Sequence, residues 1–230
     1  MIYLKKSMPA PESLKVEKNK LSSRNYRLED VIVRIKKDFK NKCYLCGHKE
    51  PTTINVEHFT PHRGNRDLMF EWKNLFYACG HCNNLKSDRF DFILDCTDES
   101  EKVEDRIYLK MDPYPCKDVE VKALDNQEKT VKTVELLKLI YNGSTALKTV
   151  EAENIRKNLL REICKFQQLL LKYYSLDEDD DEREEIVREI SRHLKDSSAF
   201  TSFKRWIVKE APSIKKDFSH LFLKQGTSVM

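Results

Sequence analysis

Two cysteine pairs, Cys43-x-x-Cys46 and Cys79-x-x-Cys82, constrain this chain more than any other feature. A C-x-x-C in a turn aims two thiolates at one point, and a second pair elsewhere completes a tetrahedral four-cysteine set suited to zinc. The 32 residues between Cys46 and Cys79 exceed the commonest zinc-finger spacings, so they must hold ordered structure that a metal closes at both ends. With four protein ligands no position is left for water, and the site reads as structural. Gly47 follows the first pair and Gly80 lies inside the second, where tight turns around a metal favour glycine. His48 and His81 stand next to the cysteines as substitute ligands, which a complete cysteine set makes unnecessary. The plain alternative, four unrelated buried cysteines, is rare for two separate pairs.

Seven cysteines is an odd number, which with the C-x-x-C spacing favours metal binding in a reducing compartment over disulfides. Cys96, Cys116 and Cys164 remain and are expected to be small buried apolar residues. No apolar run approaches the roughly 20 residues that span a bilayer, and Met1-Ile2-Tyr3-Leu4-Lys5-Lys6 lacks an apolar signal core. A cytoplasmic protein is expected. Apolar residues make up 40% of the 230 and are sufficient for a core. With only five glycines and no G-x-x-x-x-G-K-[ST], the chain should not bind ATP through a Walker-type loop.

The net charge of +4 is unevenly spread. Residues 1–50 carry thirteen Lys/Arg against six Asp/Glu, whereas Asp177 to Glu185 holds eight acids and one arginine. The basic front can attract a polyanion, or it can be a solvated helix face. The acidic run reads as an exposed loop or helix start.

Four segments follow from composition and periodicity. Residues 1–40 comprise a polar, irregular arm to residue 26 and a helix over 27–40, where Leu28, Val31, Ile32, Ile35 and Phe39 recur at helical spacing. Residues 41–95 hold the cysteines. Within them 52–59 alternates and is β-rich, which predicts a strand ended by Pro61 and Gly64, and a short helix follows Cys82. Residues 96–125 connect, with a strand from Arg106 to Met111. Residues 126–230 are helical: Val131, Val134, Leu137 and Ile140 form one stripe, ended by Asn142-Gly143. Ser144 or Thr145 caps the next helix, with Ile155, Leu159, Ile163, Phe166 and Leu170. A third carries Ile186, Ile190 and Leu194, and a fourth Phe200, Phe203 and Ile207. Each stripe needs a partner, so a helical bundle should pack on the front half. The class is α+β and mostly helical.

Glu57 and His58 are adjacent on the predicted strand and must point to opposite faces unless the strand bends or ends there. Together with Cys43-x-x-Cys46, Val56-Glu57-His58-Phe59-x-Pro61, Trp72-x-Asn74-Leu75, Cys79-x-x-Cys82 and Asn83-x-x-Lys86, they closely resemble the HNH, or ββα-metal, nuclease motif, over about 50 residues. The resemblance implies a small zinc-braced nuclease core. It implies that His58 is the general base, that Glu57 and Asn83 hold the catalytic divalent ion, and that Asn74 braces the loop orienting the histidine. The motif reads His58-Asn74-Asn83, ending in asparagine, and an amide oxygen is a hard ligand that suits Mg2+ or Mn2+ better than Ni2+ or Zn2+. A histidine titrating near neutrality can take a proton from water. Lys86, Arg63, Arg66 and Arg89 are candidate phosphate contacts, although each alone is more often an ordinary surface charge. His62 can line the site as a ligand or second base, or be a plain loop histidine. Trp72 and Phe76 read as core packing under the metal loop rather than as base-stacking residues.

Outside the motif, Ile2-Tyr3-Leu4-Lys5-Lys6-Ser7 with Pro9, and Leu139-Ile140-Tyr141-Asn142-Gly143-Ser144, resemble the retron- and Septu-associated PtuB-type HNH nucleases of antiphage defence. That resemblance implies a PtuA-type ATPase partner docked on the helical half, and in retron systems a reverse transcriptase with its RNA/DNA. Two other readings stay open: a zinc-ribbon-like nucleic-acid-binding module without catalysis, and an interaction protein whose nuclease site is dead.

Overall fold

The computed structural model describes residues 1–113, 118–177 and 181–223. The segment enclosed by the cysteine pairs folds into a hairpin followed by a helix. β1 (Ile54–His58) pairs antiparallel with β2 (Leu75–Cys79), in a register running from Ile54 opposite Cys79 to His58 opposite Leu75. All five β2 residues are buried, which explains their continuous Leu-Phe-Tyr-Ala-Cys run. Between the strands lie α3 (Arg66–Phe70) and a single 3-10 turn, Trp72–Asn74. The Asn65 carboxamide accepts from the N–H groups of Asp67 and Leu68 and starts α3 as a side-chain cap. α4 (Gly80–Lys86) follows β2 with no loop. The hairpin therefore spans two poles, cysteines at one end and His58 at the other.

The front of the chain is less irregular than its composition suggests. α1 (Glu12–Asn19) interrupts the expected arm, and Met1, Ile2, Leu4 and Leu14 are buried in the core. Leu4 donates its N–H to the carbonyl of Cys96 at 2.8 Å. These four apolar residues carry no period, so burial there is set by the tertiary partner rather than by local pattern. α2 (Glu29–Asp38) matches the helix expected at 27–40, and its Val31 and Ile35, followed by Phe39, are fully buried. Ile32 lies on the exposed side.

The connecting segment holds two strands where one is expected. After the short α5 (Val103–Arg106), β3 (Ile107–Lys110) pairs antiparallel with β4 (Glu120–Ala123). The second half is helical: α6 (Glu128–Asn142), α7 (Ala146–Ser175), α8 (Glu182–Leu194), α9 (Thr201–Glu210) and α10 (Pro212–Phe218). Thr145 caps α7, its hydroxyl accepting from the N–H of Lys148. The five expected stripe residues of α7 are all buried, as are Ile186, Ile190 and Leu194 of α8. The α6 stripe is turned from expectation. Val131 is exposed, whereas Thr130 and Thr133 are buried and the Thr133 hydroxyl accepts from the N–H of Leu94 at 2.8 Å.

One core unites the hairpin, the N-terminal residues, α6 and the first half of α7, while a second cluster gathers Phe166, Leu170, Ile186, Ile190, Leu194, Val208 and Phe218. The fold is α+β and mostly helical, with two small sheets. Among the described residues no helix is long and apolar enough to cross a membrane. Cys96 is buried as expected, Cys164 only half so, and Cys116 lies outside the described residues. The acidic run is a helix start from Glu182, and residues 178–180 lie outside the described ones.

Candidate metal centre and active site

The sulfurs of Cys43, Cys46, Cys79 and Cys82 all lie within 4.8 Å of one another, and every one of these residues is buried. None forms a disulfide, and Cys46 Sγ is 4.0 Å from Cys79 Sγ. Zinc–sulfur bonds of about 2.3 Å in a tetrahedron place sulfurs about 3.8 Å apart, so the cage has the size of a zinc site. Its electrostatics ask for a cation. Hydrogen bonds from the Cys43, Cys46 and Cys82 thiols hold Cys79 far below the usual thiol range. Its neighbours move the other way: Cys46 is raised by hydrogen bonding to Cys43 and Cys79, and Cys82 by burial. A divalent ion among the four sulfurs would supply the charge that lets buried thiols ionise.

The knuckle turns are tightly held. Gly47 has a φ of +72°, and a Cβ there would meet the Phe200 backbone at 3.4 Å. Its N–H bonds the Cys43 carbonyl at 2.9 Å, and Cys43 donates to the His48 carbonyl at 3.0 Å. A Cβ on Gly80 would lie 2.8 Å from the Thr53 hydroxyl. Neither neighbouring histidine joins the cage. His48 stacks on Phe200, and His81 is held between Glu151 at 2.8 Å and the Ile140 carbonyl at 2.9 Å.

β1 ends at His58, so the strand does not force Glu57 and His58 onto opposite faces. His58 is half-buried, with its ring edge-on to Tyr26 at 4.4 Å and to His62 at 4.6 Å. Its Nε2 lies 3.0 Å from the Met69 carbonyl. A carbonyl only accepts, so Nε2 carries the hydrogen and Nδ1 is the acceptor of the neutral ring. Burial lowers the pKa of His58, partly offset by that carbonyl, which favours the neutral, basic form.

Glu57 is turned into the protein interior, whereas His58 is only half-buried. Its Oε1 accepts from Tyr44 Oη at 3.1 Å and lies 2.9 Å from Lys86 Nζ. Its Oε2 is buried and has no hydrogen-bond partner. Burial raises the carboxyl to about 7, against the pull of Lys86. An unsatisfied buried carboxylate oxygen costs on the order of 1–3 kcal/mol, and a hard cation is the partner it fits. Asn83 is half-buried near the middle of α4, not at its start. It lies three residues before Lys86, so the two share a helix face.

Asn74 braces the β1–α3 loop: it accepts from the N–H of Thr60 at 2.7 Å and donates to the carbonyls of Thr60 at 2.9 Å and Leu68 at 3.0 Å. Trp72 and Phe76 are buried in the core, and Trp72 Nε1 bonds the Ser7 carbonyl at 2.9 Å. His62 faces His58, and its Nδ1 accepts from the N–H of Gly64 at 3.1 Å.

The expected phosphate contacts are largely spent on structure. Lys86 is fully buried, and its ammonium bonds Glu57 and the carbonyls of His58 at 3.3 Å and Phe59 at 2.8 Å. Enclosed among these groups, it cannot reach an external phosphate. Arg66 is committed to backbone carbonyls of residues 17–23, including Lys18 at 2.7 Å. Arg63 pairs with Asp91 at 3.1 Å, and Arg89 donates to the Leu85 carbonyl at 3.4 Å. The structure adds residues that the motif does not contain. Tyr26 packs on His58, and exposed Arg27 donates to the Tyr26 hydroxyl at 3.1 Å. Both come from the basic front of the sequence, whose charge excess is their only sequence signal.

Compared with family models, with curated proteins and with solved structures, the chain gives no match.

Proposed function

We propose that this chain is a metal-dependent HNH endonuclease that hydrolyses phosphodiester bonds of nucleic acid. The observation that carries the reading is His58, half-buried at the end of a β-strand with Nε2 held by the Met69 carbonyl and Nδ1 left as the basic nitrogen. In this reading Nδ1 takes the proton from the attacking water. Asn74 fixes the loop that presents His58, and Tyr26 packs the ring. Arg27, exposed beside Tyr26, is the cation placed to meet the substrate phosphate. Glu57 Oε2 and the Asn83 amide oxygen would hold Mg2+ or Mn2+, which supplies charge neutralisation on the phosphate and the leaving oxygen. The four cysteines would hold a structural Zn2+ that sets the start of α4, and with it Asn83.

His58→Ala should lower nicking of plasmid DNA or of an RNA substrate about 10²–10⁴-fold, with zinc content and circular dichroism unchanged. Full cleavage by the pure, folded variant would remove the reading. One observation favours a second reading, a binding module without catalysis: Lys86 already neutralises Glu57 from within the protein. Calorimetric titration separates the two. A nuclease site takes up Mg2+ or Mn2+ in a manner lost in Glu57→Gln and Asn83→Ala, and a pure binder shows no such uptake. Antiphage defence with a PtuA-type ATPase partner belongs to the same proposal and rests on the resemblance of the outer segments. Copurification of an ATPase with the tagged chain from its native host checks it.

A further inference from the structure

We propose that a basic cleft beyond the cysteine end of the hairpin binds the phosphates of a nucleic-acid strand, at a distance from His58. The proposal deepens the nuclease reading and rests on it for the substrate class. The cleft encloses about 720 Å³ between the segment after Cys46, α7, α8 and the turn leading into α9. Lys49, Arg161, Lys165, Arg192 and Lys195 line it against three carboxylates, Glu50, Glu162 and Glu189. Two of those carboxylates are engaged: Glu162 with Lys165 at 3.1 Å and with buried Lys204 at 3.2 Å, and Glu189 with Arg192. Among the described residues, Lys49, Arg161 and Lys195 make no carboxylate ion pair, which leaves their charge for a ligand.

The walls are fixed before any ligand arrives. Phe200 donates its N–H to the Gly47 carbonyl at 2.9 Å, and Lys42 Nζ reaches the Ser198 carbonyl at 2.8 Å. Lys204 Nζ ties α7, α8 and the turn together through Glu162, His193 Nδ1 at 3.2 Å and Ser198 Oγ at 2.6 Å. A prebuilt surface loses little entropy on binding. Among the described residues of the lining, Ala199 and Phe200 alone carry apolar side chains and the rest are polar or charged, which suits a charged ligand better than an apolar one. Cations from four separate segments match a chain of phosphates better than a single anion. His48, stacked on Phe200 at 5.9 Å and 15° between planes, adds an aromatic ring beside these charges. The lining contains neither His58 nor any residue of β1, β2 or α4. A strand seated in the cleft would therefore be held by residues other than those around His58.

The test uses the full chain with His58→Ala, without added divalent ion, so that binding is read without turnover. The probe is a fluorescein-labelled single-stranded oligonucleotide, and affinity is measured by anisotropy across a salt series. Lys49→Gln, Arg161→Gln and Lys195→Gln are combined. All three side chains are exposed, so the fold should survive. The control combines Lys36→Gln, Lys37→Gln and Lys40→Gln, exposed residues at and just beyond the end of α2, with the same change in net charge. The cleft triple should weaken binding at least tenfold and lower the slope of log affinity against log salt by about 2, and the control triple should change it much less. Equal behaviour of the two triples, or no change in either, overturns the cleft. A second arm titrates ATP. Competition by ATP at concentrations that spare the control surface would assign the same phosphate site to a free nucleotide, and its failure with the oligonucleotide result intact assigns it to the strand. Cleavage assays of the wild-type chain separate this proposal from the nuclease reading. If no cleavage occurs while the cleft triple still loses binding, the cleft stands and the nuclease falls. If His58-dependent cleavage is found while the cleft triple binds as its parent does, the cleft falls alone.

Discussion

At the Cys79 end of the hairpin, four like side chains converge on one point. At the His58 end, unlike groups from four segments converge: Tyr26 before α2, Glu57 and His58 on β1, the Met69 carbonyl on α3, and Lys86 on α4. The first pole is defined by spacing in the chain and needs one cation to complete it. The second is defined by who packs against whom, and its groups carry opposed demands. Glu57 is buried with one oxygen paired to Lys86 and the other alone. A uniform cage stabilises, whereas a mixed cluster with an unsatisfied atom stores the capacity to bind.

The largest effect is expected at the cysteine pole. Cys43→Ser, or zinc removal by a chelator, should unfold residues 41–95, because structural zinc sites contribute on the order of 10 kcal/mol of apparent binding energy. Hydrogen exchange should show loss of protection in β1, β2 and α4. The bundle cluster built on Phe166, Ile190 and Phe218 should keep its own. Retained zinc and unchanged protection in Cys43→Ser would remove the four-cysteine assignment.

The next effect falls on the Glu57–Lys86 pair. Removing one partner of a buried ion pair costs about 3–5 kcal/mol. Lys86→Met should therefore destabilise strongly, since it strands the Glu57 carboxylate and frees two backbone carbonyls. If Glu57 Oε2 is a metal ligand, Mg2+ or Mn2+ should rescue part of that loss, and urea unfolding with and without the ion measures it. Glu57→Gln with Lys86→Met should be milder than Lys86→Met alone. A double variant no more stable than the single one would show that the pair contributes nothing as a pair.

Between these sizes sits Asn74, which joins His58's loop to the hairpin by three hydrogen bonds. Asn74→Ala should cost about 2–3 kcal/mol at roughly 1 kcal/mol per bond and lower activity through His58's position. A loss of stability with wild-type cleavage rate would separate the brace from the site.

The two poles also differ in how far the sequence exposed them. Two C-x-x-C pairs state their own geometry, and β1 between them follows from alternation, whereas the five-residue α3 and the continuously apolar β2 carry no period and are not expected from the sequence. The α7 and α8 stripes are equally plain because their period is local. The polar pole is legible only as residue types. That Lys86 turns inward, that Arg66 serves carbonyls of the front segment, and that Tyr26 lies on His58 depend on packing between segments far apart in sequence. A lysine in a polar stretch reads as surface charge, and nothing local marks the three acceptors that offset its desolvation. The N-terminal arm is missed for the same reason: Met1, Ile2 and Leu4 are buried by partners elsewhere in the chain, not by a period of their own.

The smallest effect expected concerns the arm that packs beneath the His58 pole. Lys6 lies over Trp72 at 4.2 Å and donates to the carbonyls of Trp72 and of Leu75, the latter at 2.6 Å. Burial lowers its pKa to about 7, with Asp95 and Asp38 opposing. Between pH 7 and the unfolded value near 10.5, the unfolded chain binds the extra proton at this residue. Its contribution to stability is therefore full above the unfolded pKa, and it is lost as pH falls toward 7, with a slope of at most about 1.4 kcal/mol per pH unit. Thermal unfolding followed from pH 7 to 9 should show the midpoint of the wild type gaining on that of Lys6→Met as pH rises. Parallel midpoints in the two proteins would mean that Lys6 keeps its proton through this range. The ammonium would then be held by the ring and the two carbonyls strongly enough to outweigh its burial.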